Sequence, residues 1–227
     1  MEEYGRAYFE GRYKYGRKRR AIVRLYMDVL KWADGHVPWS LLSGEGKRAL
    51  DVGCAYGFVT DMLRSLGYEA YGLDLSEYAL RAGRKEGIKG LVMGDGIRPP
   101  FKAGVFYLVT CFETLEHLTN PEEALRNMYE LLTADGVFLA TTAPSRLDVS
   151  PISYVFVYVL AGETRNHHPS VKAPEEWRRL LLETGFKNVL TEPFLILPVP
   201  PTVFDRYFKL KAPTPLASSV KILALKG

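Results

Sequence analysis

A chain of 227 residues that is 47% hydrophobic is long enough to bury a full core within one domain. Its longest apolar run, "ISYVFVYVLA" at 152–161, is about half of the roughly 20 residues that a membrane-spanning helix needs. No membrane span is therefore expected, and the charged opening "MEEYGRAYFEGR" lacks the apolar centre of a signal peptide. The two cysteines, Cys54 and Cys111, form no paired-cysteine motif, which argues against structural zinc or a redox pair and fits a reducing, cytoplasmic setting.

The formal charge of +4 is concentrated in the first twenty residues, where seven Lys or Arg face three Glu. Such an arm can attract RNA or an anionic surface. It also carries Tyr4, Tyr8, Phe9, Tyr13 and Tyr15, aromatics that need a packing partner, so a solvated face over a packed one is the other reading.

In chain order, short apolar runs alternate with amphipathic stretches from residue 48 onward, the pattern of a parallel sheet covered by helices. "RALDVG" (48–53) reads as a first strand and "FVTDMLRSLG" (58–67) as a helix stopped by Gly67. "EAYGLD" (69–74) reads as a second strand, followed by a helix over 76–87 capped by Ser76. "GLVMGD" (90–95) and "VFYLVTCF" (105–112) are the third and fourth strands. "NPEEALRNMYELLTADG" predicts a helix with Pro121 in its first turn and Gly136 just past its end, and "VFLATTA" (137–143) is the fifth strand. A further helix over 173–185, a strand at "FKNVLTE" and a last strand at "SVKILALK" complete the pattern. Residues 145–172 and 193–218 read as inserts, the second with prolines at 198, 200, 201, 213 and 215; loops of that length commonly serve as covers. The expectation is a single α/β domain, 1–227. It would hold an N-terminal helical cap (1–45), a ligand-binding core (46–144) and a substrate-side half (145–227) with the two inserts as lids.

"ALDVGCAYG" places Asp51 at a strand end, followed by Gly53, Ala55 and Gly57, small residues that let the backbone turn tightly and approach a ligand. A nicotinamide fingerprint needs glycines at relative positions one, three and six, and position six here is Phe58, which disfavours a dinucleotide. The spacing instead resembles motif I of the class I S-adenosylmethionine-dependent methyltransferases, and the order of elements from about 48 to 227 is similar to that family's. The resemblance implies a Rossmann-like, seven-stranded, mostly parallel sheet with helices on both faces, and S-adenosylmethionine as cofactor. It assigns Asp51 to the cofactor's ammonium, Asp74 to the two ribose hydroxyls, and Asp95 to the adenine amino group with Gly96 and Ile97 lining the base. Leu75 and Phe112 join Gly53, Ala55 and Gly57 in the implied cofactor set. Two positions depart from the usual pattern: Ala55 replaces a customary glycine, and Tyr107 stands where an Asp commonly begins strand four. In related enzymes an aromatic N-terminal helix closes over the cofactor, and "EYGRAYFEGRYKYG" looks similar, with Tyr4, Tyr8 and Phe9 as candidates.

After the fourth strand, "FETLEHL" gathers Glu113, Glu116 and His117. If these residues turn helically, the three share one face by the i, i+3 and i, i+4 rule. The pattern E-x-x-E-H resembles that of metal-assisted O-methyltransferases, both the quinone-biosynthesis type acting on catechol-like rings and the small-RNA 2′-O-methyltransferases. Those use a downstream histidine, and "NHHPS" supplies His167 and His168. One reading is a divalent ion held by Glu113, Glu116, His117 and His167; the other is His117 lining the methyl-donor site, with Glu116 and His168 as its catalytic neighbours. Aromatics in the inserts, Tyr154, Phe156, Tyr158, Phe194, Phe204, Tyr207 and Phe208, suggest a lid over an apolar or planar small acceptor, or else a dimer interface or core packing. The expected function is methyl transfer to a small molecule, most readily at oxygen. RNA methylation through the basic arm and a non-catalytic cofactor-binding partner subunit are the alternatives, and the oligomeric state stays open.

Overall fold

The computed structural model describes residues 4–12, 14–143, 168–198, 207–211, 217 and 219–227. Eight strands form one sheet: β1 Arg48–Val52, β2 Glu69–Asp74, β3 Leu91–Met93, β4 Phe106–Phe112, β5 Leu132–Thr142, β6 Lys187–Pro198, β7 Tyr207–Lys211 and β8 Ser219–Leu225. Their order is β3-β2-β1-β4-β5-β8-β6-β7. The first five in that order run parallel, β8 is antiparallel to both β5 and β6, and β7 pairs antiparallel with the end of β6. The seven strands expected along the chain are thus all present, and an eighth, β7, extends the edge.

Both faces of the sheet are covered, which is why the strands are almost continuously apolar. Alternation by two sends Leu50, Val52, Phe138, Ala140, Ile222 and Ala224 to one face, and Ala49, Val137, Leu139, Leu223 and Leu225 to the other. The helices α4 (Pro121–Leu131) and α5 (Pro174–Thr184) pack on the first face, with Trp177 fully buried among Leu181 and Phe186. On the second lie α1 (Arg19–Asp34) and α2 (Phe58–Ser65), through Val29, Leu30, Ala33, Val59, Met62 and Leu63. Helix α3 (Glu77–Lys85) starts at Ser76, whose hydroxyl accepts from the Ala79 amide as expected of a cap.

Three expectations need correction. Helix α4 stops at Leu131 rather than near Gly136, because Leu132 is already extended and the Lys226 ammonium donates to the carbonyls of Tyr129 and Leu132 at the helix end. Strand β6 runs on through Pro193 to Pro198 and turns back as β7, so part of the second insert is sheet. Phe194 is buried beside the Lys221 ammonium and is not lid surface. The other insert aromatics named above lie outside the described residues (Tyr154, Phe156, Tyr158, Phe204), or outside the described side chains (Tyr207, Phe208). No described helix is long and apolar enough to cross a membrane, and both cysteines are buried free thiols.

The strand order reverses between β1 and β4: the chain leaves β1 toward β2 and β3, then returns to build β4 and β5 on the other side. The crevice beyond the carboxyl ends of these two strands is where open α/β sheets bind ligands.

Candidate functional site

At that switch point lies a cavity of about 420 Å³, within the range of about 300–1,000 Å³ usual for small-molecule sites. Two halves face each other across it. The turn after β1, with Gly53 and Ala55, meets Asp74 and Leu75 at the end of β2 and Gly96 after β3. Opposite stand Phe112, Glu113, Glu116 and His117 after β4, together with His168.

The first half is built by backbone geometry. Gly53 has φ +75°, and a Cβ there would lie 2.1 Å from the Thr114 hydroxyl, so only glycine lets the two strand ends meet. The Gly53 and Cys54 amides donate to the Leu73 carbonyl at 2.8 and 3.0 Å. Ala55 occupies the left-handed region at φ +49°, a conformation held by its amide donating to Asp74 Oδ2 at 2.7 Å. The Ser76 amide donates to Asp74 Oδ1 at 2.7 Å. Each Asp74 oxygen is thereby oriented and keeps lone-pair capacity for a further donor. Burial raises its pKa, partly offset by these amides.

Asp51 does not line the cavity. It is 2% exposed, and it accepts from Thr110 at 2.8 Å and Thr60 at 3.1 Å. Burial pushes its pKa up to about 7, against the two threonine hydrogen bonds. In the unfolded chain this carboxyl ionises near 3.8. The folded state therefore loses stability as pH rises from about 4 to about 7, and the loss is constant above that. Asp51→Asn is expected to raise stability at pH 8 by about 1–3 kcal/mol and to change it little at pH 4, measured by urea titration. Gly57, with φ +82°, begins α2 packed against Leu91 and does not reach the cavity wall. Asp95 caps its own turn, accepting from the Ile97 amide at 2.8 Å, and Ile97 packs against the core; neither lines the cavity. Tyr107 is remote, its ring beneath the Lys47 ammonium at 4.3 Å.

The second half corrects the helical reading of "FETLEHL". Only Leu115–His117 form a helical turn, of the tight 3₁₀ kind, and Glu113 has φ +47°. Its carboxyl turns aside to accept from Ser219 Oγ on β8 at 2.7 Å. Glu116 is 1% exposed and accepts from Thr142 Oγ1 at 3.0 Å and the Ala143 amide at 3.1 Å. Burial raises the pKa of both carboxyls; their proximity adds to this at Glu113, while His168 opposes it at Glu116. The rings of His117 and His168 meet edge to face at 4.6 Å. One donor atom from each of Glu116, His117 and His168 lies within 4.8 Å of the others, the one such group among the described residues. Glu113 is not part of that group, and His167 lies outside the described residues.

A roof comes from the N-terminal segment, where Ala7–Arg12 form a single π turn and Tyr15–Lys18 a 3₁₀ turn in place of a long helix. Tyr4, Tyr8, Phe9 and Tyr15 line the cavity with Lys18, Ile22 and Tyr26. The Ser76 hydroxyl donates to the Tyr4 carbonyl at 2.6 Å, and Arg19 pairs with Asp61 at 2.7 Å and Glu86 at 3.0 Å, fixing the roof to α2 and α3. Sequence reading missed Tyr15, Lys18, Tyr26, Thr142 and Ser219 because each meets the site only through long-range contacts; for Tyr26, the nearness of Glu113 and Glu116 adds to burial in raising its pKa.

A family profile described as a methyltransferase domain matches residues 23–191. A ubiquinone biosynthesis O-methyltransferase from Marinobacter nauticus is 31% identical over 144 residues, covering 60% of this chain and 58% of that protein. Another so named, from Azoarcus sp. strain BH72, is 34% identical over 173 residues, covering 70% of each. The chain thus spans between about half and seven tenths of the length of such relatives. Among solved structures, an S-adenosylmethionine-dependent methyltransferase from Thermotoga maritima superposes with a TM-score of 0.69 at 17% identity, covering 97% of this chain and 100% of that one. One from Archaeoglobus fulgidus gives 0.64 at 20% identity, covering 91% and 92%. The fold, the cavity at its switch point and the matched profile agree: this chain belongs to the class I S-adenosylmethionine-dependent methyltransferases.

Proposed function

We propose that this chain transfers the methyl group of S-adenosylmethionine to an oxygen of a small, apolar or aromatic acceptor in the cytoplasm. The observation that carries the reading is one cavity with an oriented carboxylate, Asp74, on one side and a carboxyl–imidazole group, Glu116, His117 and His168, on the other. The cofactor's chemistry fits the donor set: an oriented carboxylate suits a ribose diol, and the neighbouring Gly53, Ala55, Leu75 and Gly96 suit a flat, apolar base. When bound, the cofactor would supply an electrophilic methyl on a sulfonium, with the sulfur as the group that would keep the electron pair of the carbon–sulfur bond. His117 takes the acceptor's proton, and Glu116, held by Thr142 and Ala143, orients the imidazole pair. The aromatic roof excludes water and aligns the acceptor.

A second reading rests on the compactness of the same trio. A carboxylate and two imidazoles within 4.8 Å match the ligand chemistry of a divalent transition ion, with His168 in place of the expected His167 and Glu113 apart. Such an ion would lower the acceptor oxygen's pKa.

The test is transfer of labelled methyl from S-adenosylmethionine to a catechol-type acceptor and, separately, to RNA, at rising salt. The reading expects label in the small acceptor, insensitive to salt. Label in RNA alone, falling steeply with salt, would replace the substrate class; cofactor binding with label in neither would favour a non-catalytic partner subunit.

A further inference from the structure

Tyr26 stands where the two halves of the cavity join. It projects from α1, and its ring stacks on that of Phe112 with an interplanar angle of 1° and a centroid distance of 4.3 Å. Phe112 closes β4, next to Glu113, and β4 is the strand paired with β1, whose end carries Gly53. The stacked pair therefore marks the seam between cofactor side and acceptor side, and both rings line the cavity. Among the described residues the Tyr26 hydroxyl takes no hydrogen-bond partner, it is not one of the sealed polar atoms, and the residue lines the cavity. The carboxyls that act on it are Glu113 and Glu116 after β4 and Asp51, buried beneath the cavity. Burial and those carboxyls hold the phenol in its neutral form, which keeps its oxygen lone pairs available beside a cation without itself ionising.

We propose that the Tyr26 hydroxyl oxygen faces the methyl group of bound S-adenosylmethionine and fixes its direction toward the acceptor. This inference rests on the methyltransferase reading above. The hydrogens on a carbon attached to a sulfonium are electron-poor, and an oxygen lone pair aimed at them makes weak C–H···O contacts that restrain the direction of the sulfur–methyl bond. Stacking on Phe112 holds the Tyr26 ring in one orientation, so the oxygen is already placed before the cofactor enters. The contact has a signature that a merely structural tyrosine lacks. S-adenosylhomocysteine shares every other group with the cofactor but has neither the methyl nor the positive sulfur, so it gains nothing from this oxygen.

The experiment compares Tyr26→Phe with the unaltered protein by calorimetry against S-adenosylmethionine and S-adenosylhomocysteine separately, with a thermal melt of each protein. The substitution keeps the stacked ring and removes one oxygen. The expected result is a loss of about two- to fivefold in affinity for S-adenosylmethionine, no change for S-adenosylhomocysteine, and an unchanged melt. Equal losses for both ligands, or no loss for either, would overturn the assignment. An unaltered protein that binds neither ligand would instead overturn the methyltransferase reading, and this inference with it.

Discussion

Replacement of Asp74 by Ala is expected to weaken binding of S-adenosylmethionine and S-adenosylhomocysteine by about a hundredfold or more. Two hydroxyl donors to one ionised carboxylate are worth about 1.5–3 kcal/mol each, and every 1.4 kcal/mol is tenfold. The same carboxylate also accepts from the amides of Ala55 and Ser76, so its removal frees the turn that carries Gly53 and Ala55 and loosens the cap of α3. Asp74→Asn, which keeps one acceptor oxygen, should fall between the two. Calorimetry with circular dichroism as a folding control measures both, and unchanged affinity in folded Asp74→Ala protein would remove the ribose assignment.

The second large effect concerns turnover. His117→Ala is expected to lower kcat by about 10²- to 10⁴-fold, the usual worth of a positioned base, while cofactor affinity changes by no more than a few fold. His117 is the better target for this because Glu116, with 1% exposure and two donors aimed at it, would leave Thr142 and the Ala143 amide without an acceptor if truncated. If His117 acts directly on the acceptor proton, a chelator leaves activity unchanged. Loss of activity with a chelator, restored by added divalent ion and absent in His168→Ala, would assign the trio to a metal instead.

Much of the first half of the cavity was legible in the sequence because it is local. Gly53 and Asp74 sit at strand ends that short apolar runs announce, Gly67, Pro121 and Gly185 mark helix ends by their own backbone preferences, and Ser76 does so by its capping hydroxyl. What was not legible depends on residues distant in the chain. Glu113 leaves the expected helical face because its left-handed turn sends its carboxyl to Ser219, 106 positions later. Helix α4 ends early because Lys226 reaches it from the end of the last strand. The stretch from residue 193 reads as the start of an insert, yet β6 runs through Pro193 to Pro198, and its last residues pair with the edge strand β7 in place of β8. Asp51 carried the motif's acidic residue, but two threonines bury it beneath the site, which no spacing of glycines reveals.

The identity of the cofactor decides whether this cavity serves methyl transfer. Calorimetry of the purified chain with S-adenosylmethionine, S-adenosylhomocysteine and NAD tests it most directly. Saturable binding of the two methionine-derived ligands and none of NAD is the predicted result; binding of NAD with no binding of the other two would contradict it.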